Sequence, residues 1–187
     1  GEISGVEGDA SSMTYRTASY IKALRIPLRH YSDFVRRNGL LQSILDARER
    51  IAFLQSTTLF DEAMSYQTLF SVARTMKEIS FPADTSLSDT LSDCIFLVAT
   101  GGVRLSADGR EIESVSAGEV CGETCMLLRD TGVMSAVTVG KTTGFAVPAT
   151  AVDAIPIVRW KLLEVLKRRV QKLTTLVKLE WTDDYVL

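Results

Sequence analysis

The apolar positions of this chain change their period twice. From Thr14 to about Ser56 they recur at three- and four-residue steps: Tyr20, Ile21 and Leu24, then Tyr31, Phe34 and Val35, then Leu41, Ile44, Leu45, Ile51 and Leu54. An apolar stripe at that spacing marks an amphipathic helix, and Pro27 and Asn38-Gly39 interrupt it. The stretch therefore predicts helices over 14–56 with two breaks. Phe60 to Met76 repeats the pattern, with Leu69, Val72, Ala73 and Met76 on one side and Asp61 as the N-cap.

After Ser80 the runs become short and are separated by turn residues. "CIFLVATGGVRLSADGREIESVSAGEV" predicts strands at about 94–100, 102–106 and 111–115, with Asp108-Gly109 as a hairpin turn. "SAVTVGKTTGFAVP" predicts two more, joined at about Gly140. Strands this short and close build a sandwich or a barrel. From Ala149 the helical period returns. Pro156 separates a short turn from a long helix over about 157–179, where Val158, Leu162, Val165, Leu166, Val170, Leu173 and Val177 step by three and four. The expected fold is α+β: a small antiparallel β-barrel, jelly-roll-like, flanked by N-terminal helices and a long C-terminal helix. Three segments follow: a tail at 1–13, small and acidic and expected to be disordered, a helical lead-in at 14–56, and the barrel domain at 57–187.

Composition narrows the chemistry. With 187 residues and 46% apolar content the chain can bury a core without staples. A net charge of −2 lacks the basic excess of a bulk nucleic-acid binder. No apolar run reaches the roughly 18–20 residues of a membrane span. The start, Gly1-Glu2-Ile3-Ser4-Gly5, has neither an initiator Met nor a basic, then apolar, leader. The chain is expected to be a cytoplasmic piece of a longer protein. Three cysteines (Cys94, Cys121, Cys125) and one histidine argue against a disulfide framework and a zinc site. His30 has no cysteine or paired carboxylates beside it, and Asp183-Asp184 reads as a solvated tail. There is no Ser/His/Asp set and no Walker-type loop, so no enzyme is expected. The basic run "KRRVQK" at 167–172 surrounds Val170, which the period turns toward the core. The run reads as a solvated helix face, or as a contact with an acidic partner.

In order and spacing these segments resemble the cyclic-nucleotide-binding domain family. The resemblance runs from about Leu54 to Leu179: "FLQSTTLFDEAMSYQTLFSVARTMKEISFPA" is similar to the lead-in helices and first strand, "CIFLVATGGVRLSADGREIESVSAGEVCGE" to the strands and hairpin ending in Gly-Glu, and "TTGFAVPATAV" to the strand before the closing helices. The resemblance implies a phosphate-binding cassette. In such a cassette Gly-Glu opens a short helix whose free N–H groups meet a cyclic phosphate. The Glu accepts hydrogen bonds from the ribose, and an Arg several residues on pairs with the phosphate. Gly122 and Glu123 match the Gly-Glu. Cys121 replaces the usual Phe, Thr124 follows, and Cys125 falls where a small group lines the sugar. The Arg slot carries Val133, or Gly132 if the loop is one residue shorter. Met134 falls where a small hydroxyl would follow, with Ser135 next. Arg129 and Arg104 are nearby cations at non-matching positions. The family's turn glycines before Cys94 are also absent: Ala83-Asp84-Thr85 and Ser88-Asp89-Thr90 stand there, so the turn must be built differently.

Losing one partner of a buried charge pair costs about 2–5 kcal/mol, or roughly 30- to 3000-fold in affinity. A helix N-terminus returns at most about 1–2 kcal/mol. Three readings stay open for Glu123: the standard ligand cAMP or cGMP, a purely structural role capping backbone N–H groups, or an uncharged or aromatic ligand suited to Val133 and Met134. The implied function is a regulatory, signal-transducing ligand sensor without other cofactors, attached to an effector domain in the parent chain. The alternative is a ligand-independent assembly module, such as the cytosolic domain of a channel or exchanger. The C-terminal positions Leu162, Leu166, Val170, Leu173 and Val177 approach a coiled-coil seam that suits a homodimer. They equally suit one stripe packed on the barrel.

Overall fold

A computed structural model describes residues 2–7, 14, 16–60, 64–128 and 134–183. The chain divides into two compact units, Gly1–Arg50 and Ile51–Leu187.

In the first unit, α1 (Glu2–Glu7) lies against α2 (Leu28–Arg37), with Gly5 facing the Tyr31 ring. α1 forms inside the tail expected to be disordered; residues 8–13 lie outside the described residues. The expected helix before Pro27 is not there. Residues 16–27 are neither helix nor strand, and Tyr20 and Leu24 are 89% and 99% exposed. A short helix draws most of its stability from packing an apolar face, and this face is left exposed. The break at Asn38-Gly39 is present: Gly39 takes φ +62°, and the Asn38 side-chain amide donates to the Phe34 carbonyl at 2.8 Å. α3 (Leu41–Ser56) follows.

In the second unit, α4 (Tyr66–Ala73) is shorter than the predicted 60–76 helix, and its N-cap is Ser65, whose hydroxyl accepts from the Thr68 N–H at 3.2 Å. The predicted cap, Asp61, lies outside the described residues. The sheet contains β1 (Lys77–Phe81), β2 (Cys94–Ala107), β3 (Arg110–Val115), β4 (Val120–Cys121) and β5 (Ser135–Pro148), in the order β1-β5-β2-β3 with β4 paired to β2, all antiparallel. Two pairs of predicted strands are in fact single long strands. β2 runs through the expected break at 101, and β5 runs through Gly140; both bend, with register shifts between Val98 and Gly102. The bending is what curls a two-layer structure out of one ribbon. Gly144 makes it possible, because a Cβ there would strike the Leu97 carbonyl and the Phe96 ring. β1 is the first strand that the resemblance implies and the apolar period does not mark; its Ile79 and Phe81 pack on the barrel interior.

The glycine-poor turn before β2 is built on Asp84, which takes φ +55°, a region that Asp tolerates better than most residues. The buried Thr138 hydroxyl fixes it by donating to the Pro82 carbonyl at 2.7 Å and accepting from the Thr85 N–H at 2.9 Å. Asp108 and Gly109 have φ +50° and +76°, the mirror-image hairpin turn their pairing predicts.

Two large apolar clusters and a smaller third one hold this unit together. One fills the barrel with Leu87, Phe96, Val98, Leu105 and Val115, joined by Cys121 and Cys125. The other seats Leu54, Phe60 and Leu69 against Ile95, Val147 and the closing helices α6 (Ala149–Asp153) and α7 (Pro156–Asp183). From α7 it takes Val158 and Leu162, while Leu166 is buried just beyond them. These seam residues are spent inside the chain. No helix among the described residues is long and apolar enough to cross a membrane.

Candidate functional site

The site is assembled where β3, β4 and the short helix α5 (Glu123–Leu128) meet α7. The turn after β3 is tied to the sheet: the Gly118 N–H donates to the Val98 carbonyl, and the Val98 N–H donates to the Glu119 carbonyl. β4 then pairs Val120 with Leu97 and Cys121 with Phe96, which delivers Gly122 to the edge of the barrel. Gly122 has φ +98°, and a Cβ would sit 2.9 Å from both the Cys94 carbonyl and a Leu91 methyl. Only glycine fits this corner, and so α5 starts at Glu123.

Glu123 is 1% exposed, and a carboxylate buried to that degree needs a partner. Arg169 of α7, also 1% exposed, supplies it. Its Nη1 donates to Glu123 Oε2 at 2.6 Å, its Nε to Glu113 Oε2 on β3 at 2.6 Å, and its Nη2 to the Val120 carbonyl on β4 at 2.9 Å. One guanidinium thus bridges β3, β4 and α5. The planar fork of Arg can serve three acceptors at once; a Lys ammonium has no such fixed geometry. Burial alone would lower the Arg169 pKa, but the Glu123 charge and the hydrogen bonds to both carboxylates outweigh it and raise the pKa, so the group stays protonated.

Glu113 is held by two further cations, with Lys172 Nζ at 2.6 Å and Arg168 Nη2 at 3.3 Å. Burial pushes its carboxyl up, yet the hydrogen bonds from Lys172 and Arg169 and the charges of Arg169 and Arg168 bring its pKa down to about 2. Behind the Arg169 bridge, α7 and the turns at 58–59 and 119 enclose an open cleft of about 390 Å³, with Leu59, Val120, Trp160 and Arg168 in its walls.

Of the site residues read from the sequence, Gly122, Glu123, Thr124 and Cys125 form one buried corner. The Thr124 hydroxyl lies 4.0 Å from the Cys125 sulfur, and Cys125 packs into the barrel. Met134 is buried apart from them, with Ala107, Ile112 and Leu173 of α7. Ser135 opens β5, exposed, its hydroxyl donating to the Ser106 carbonyl at 3.2 Å. Val133 and its alternative Gly132, together with Arg129, lie outside the described residues. Two of the thiols are held toward the protonated form by their surroundings: burial, with the charges of Asp93 and Cys125, raises Cys94 to about 11, and burial, with the charge of Glu123, raises Cys121 further. Among the described residues no group of three His, Cys, Asp or Glu side chains is placed to hold a metal ion.

Neither Arg169 nor Glu113 is marked by the sequence pattern. With Val170 turned inward, the 167–172 run reads as a solvated face or as a contact with an acidic partner. Instead Val170 is 43% exposed and Arg169 faces in. A signal was available. Leu162, Leu166 and Leu173 continue as a regular stripe through 169, stepping four, three and four, as well as through 170. Hydrophobicity alone favours Val170, and only the unpartnered Glu123 decides for Arg169.

No protein-family model matches the chain, and no curated protein matches it. Solved structures do share its fold. PfPKA-R (141–441) with cAMP bound superposes with a TM-score of 0.63 at 15% identity, over 78% of this chain and 49% of that one. The regulatory domain of Toxoplasma gondii PKA with cAMP gives 0.50 at 22% identity, over 58% of this chain and 44% of that one. The regulatory subunit of a cAMP-independent protein kinase A from Trypanosoma cruzi, bound to guanosine, gives 0.50 at 14% identity, over 57% and 38%. The chain therefore spans less than half the length of these proteins. With its antiparallel sheet, its Gly122-Glu123 corner and its covering C-terminal helix, it has the cyclic-nucleotide-binding domain fold.

Proposed function

We propose that this chain is a regulatory cyclic-nucleotide-binding-like domain of a larger cytoplasmic protein, not an enzyme, and that it does not hold cAMP or cGMP in the standard way. The observation that carries this reading is the Arg169 bridge. The Glu123 oxygen Oε2 is already engaged by a cation of the chain itself, 2.6 Å away. A ribose hydroxyl would have to share that carboxylate with Arg169 or displace it. Arg169 cannot turn to serve as the missing phosphate cation without breaking bonds, because each of its three nitrogens already donates to an acceptor of the chain. The slot that the resemblance assigns to Val133, or to Gly132, carries no cation in the sequence where a cyclic phosphodiester needs a guanidinium, a deficit of about 2–5 kcal/mol.

α7 is the element through which such a domain acts on an attached effector. Arg169 holds Glu123, and Leu173, four residues on and on the same face, packs on Met134. Both ends of the cassette are thereby docked to one helix. Any ligand or contact that changes the cassette biases α7 by its difference in affinity for the two arrangements. A homodimer through α7 would use positions left exposed, Trp160, Leu163 and Val170, since Leu162 and Leu166 are buried.

A second reading, an uncharged nucleoside as ligand, is supported by the guanosine held in the Trypanosoma cruzi structure and by the absence of a cation at the slot. Titration calorimetry with cAMP, cGMP, adenosine and guanosine separates the readings. The expectation is no saturable heat from either cyclic nucleotide at micromolar concentration. Saturable micromolar binding of cAMP would overturn the main reading; saturation by guanosine alone would establish the second.

A further inference from the structure

Two serines or threonines in the chain have an arginine three residues before them: Ser19, after Arg16, and Ser32, after Arg29. The structure separates them. Ser32 is half-buried within α2 and is followed by Asp33. Ser19 is exposed, lies at a bend outside any helix or strand, and is followed by the exposed, apolar Tyr20. No regular structure has to be unwound to lift the 16–27 segment out as a single strand of chain. From Arg16 to Arg29 it carries four cations (Arg16, Lys22, Arg25, Arg29) and no carboxylate. Apolar Ile21, Leu24 and Ile26 stand exposed between them. A surface complementary to this stretch is an acidic groove with apolar pockets that takes a peptide without secondary structure.

We propose that Ser19 is a phosphorylation site for a basophilic serine/threonine kinase. Kinases position a substrate hydroxyl in line with the γ-phosphate of MgATP and achieve catalysis largely by that placement. Their peptide grooves select by charge pattern. Arg16 supplies the cation for an acidic pocket, Tyr20 fills the apolar pocket that follows the acceptor, and the Ser19 hydroxyl is free to reach the phosphate. In the transfer, Ser19 Oγ bonds to the γ-phosphorus as the bond from that phosphorus to the β–γ bridging oxygen breaks. The hydroxyl proton passes to the carboxylate base of the kinase, and ADP leaves. The phosphate adds about −2 charges to a segment of net charge +4 between Arg16 and Arg29, which weakens any contact that this basic stretch makes with an acidic partner.

The test uses the full chain, MgATP and a kinase catalytic subunit that requires arginine three residues before its acceptor, with an acidophilic kinase in parallel. Peptide mass spectrometry is expected to place one phosphate on Ser19, with the basophilic enzyme only. Ser19→Ala should remove it, and Arg16→Gln should slow it at least tenfold at unchanged circular dichroism. Urea-unfolded chain should be modified at Ser19 at a similar rate and gain phosphate at Ser32. Native chain modified at Ser32 as readily as at Ser19, modification indifferent to Arg16, or none on Ser19 would each overturn the proposal.

Discussion

Replacing Arg169 by methionine keeps the length and apolar stem of the side chain but leaves Glu123 buried beside no cation. Removing one member of a buried ion pair costs about 3–5 kcal/mol, most of it the penalty of stranding the other charge. Glu113 has Lys172 and Arg168 to fall back on, so the loss is concentrated at Glu123, together with the orphaned Val120 carbonyl. Domains of this size are stable by about 5–15 kcal/mol. The variant should therefore lose about a fifth or more of its stability, with Tm falling by about 10–20 °C. Urea unfolding of wild type, Arg169→Met, Glu123→Gln and the double variant forms a double-mutant cycle. The two single losses should not add: once Glu123 is neutral, removing Arg169 should hurt less, with a coupling of about 1.5–3 kcal/mol. Arg169→Lys should recover only part of the loss, because an ammonium does not reproduce the three-way fork. Additive losses within about 0.5 kcal/mol, or an Arg169→Met variant as stable as wild type, would refute the reasoning that this bridge holds α5 to α7.

Two other outcomes follow from the same geometry. Glu113 has a folded-state pKa of about 2, against an ordinary 4.5, so its contribution to stability is complete above pH 4.5 and is lost as pH falls toward 2; urea midpoints across that window should fall less steeply for Glu113→Gln than for wild type, and equal slopes would contradict the assignment. Leu166→Lys should unfold the second unit or lower its stability by several kcal/mol, because a buried position would have to take a charge, whereas Val170→Lys, on the exposed side of α7, should stay within about 0.5 kcal/mol of wild type in thermal melts; the reverse order would show that the helix faces have been exchanged.

The period of the apolar residues determined a good deal on its own. It placed the long last helix, the Asp108-Gly109 hairpin and the run of antiparallel strands, because those features depend on neighbours two to four residues apart. The Gly122-Glu123 pair was legible through the resemblance, whose Gly-Glu it matches in place and order; that Glu123 is buried there is a fact of the fold. What the sequence could not decide were choices made by distant partners. Residues 16–27 have a helical spacing and no helix, because among the described residues their apolar face stays exposed. The bends in β2 and β5 depend on how closely Gly144 can approach Leu97 across the sheet. The inward turn of Arg169 rather than Val170 depends on Glu123, 46 residues earlier in the chain. A stripe of leucines fixes only which side of a helix is apolar; which neighbour of that stripe is buried is set by the charge it must meet, and that charge is brought there by the fold.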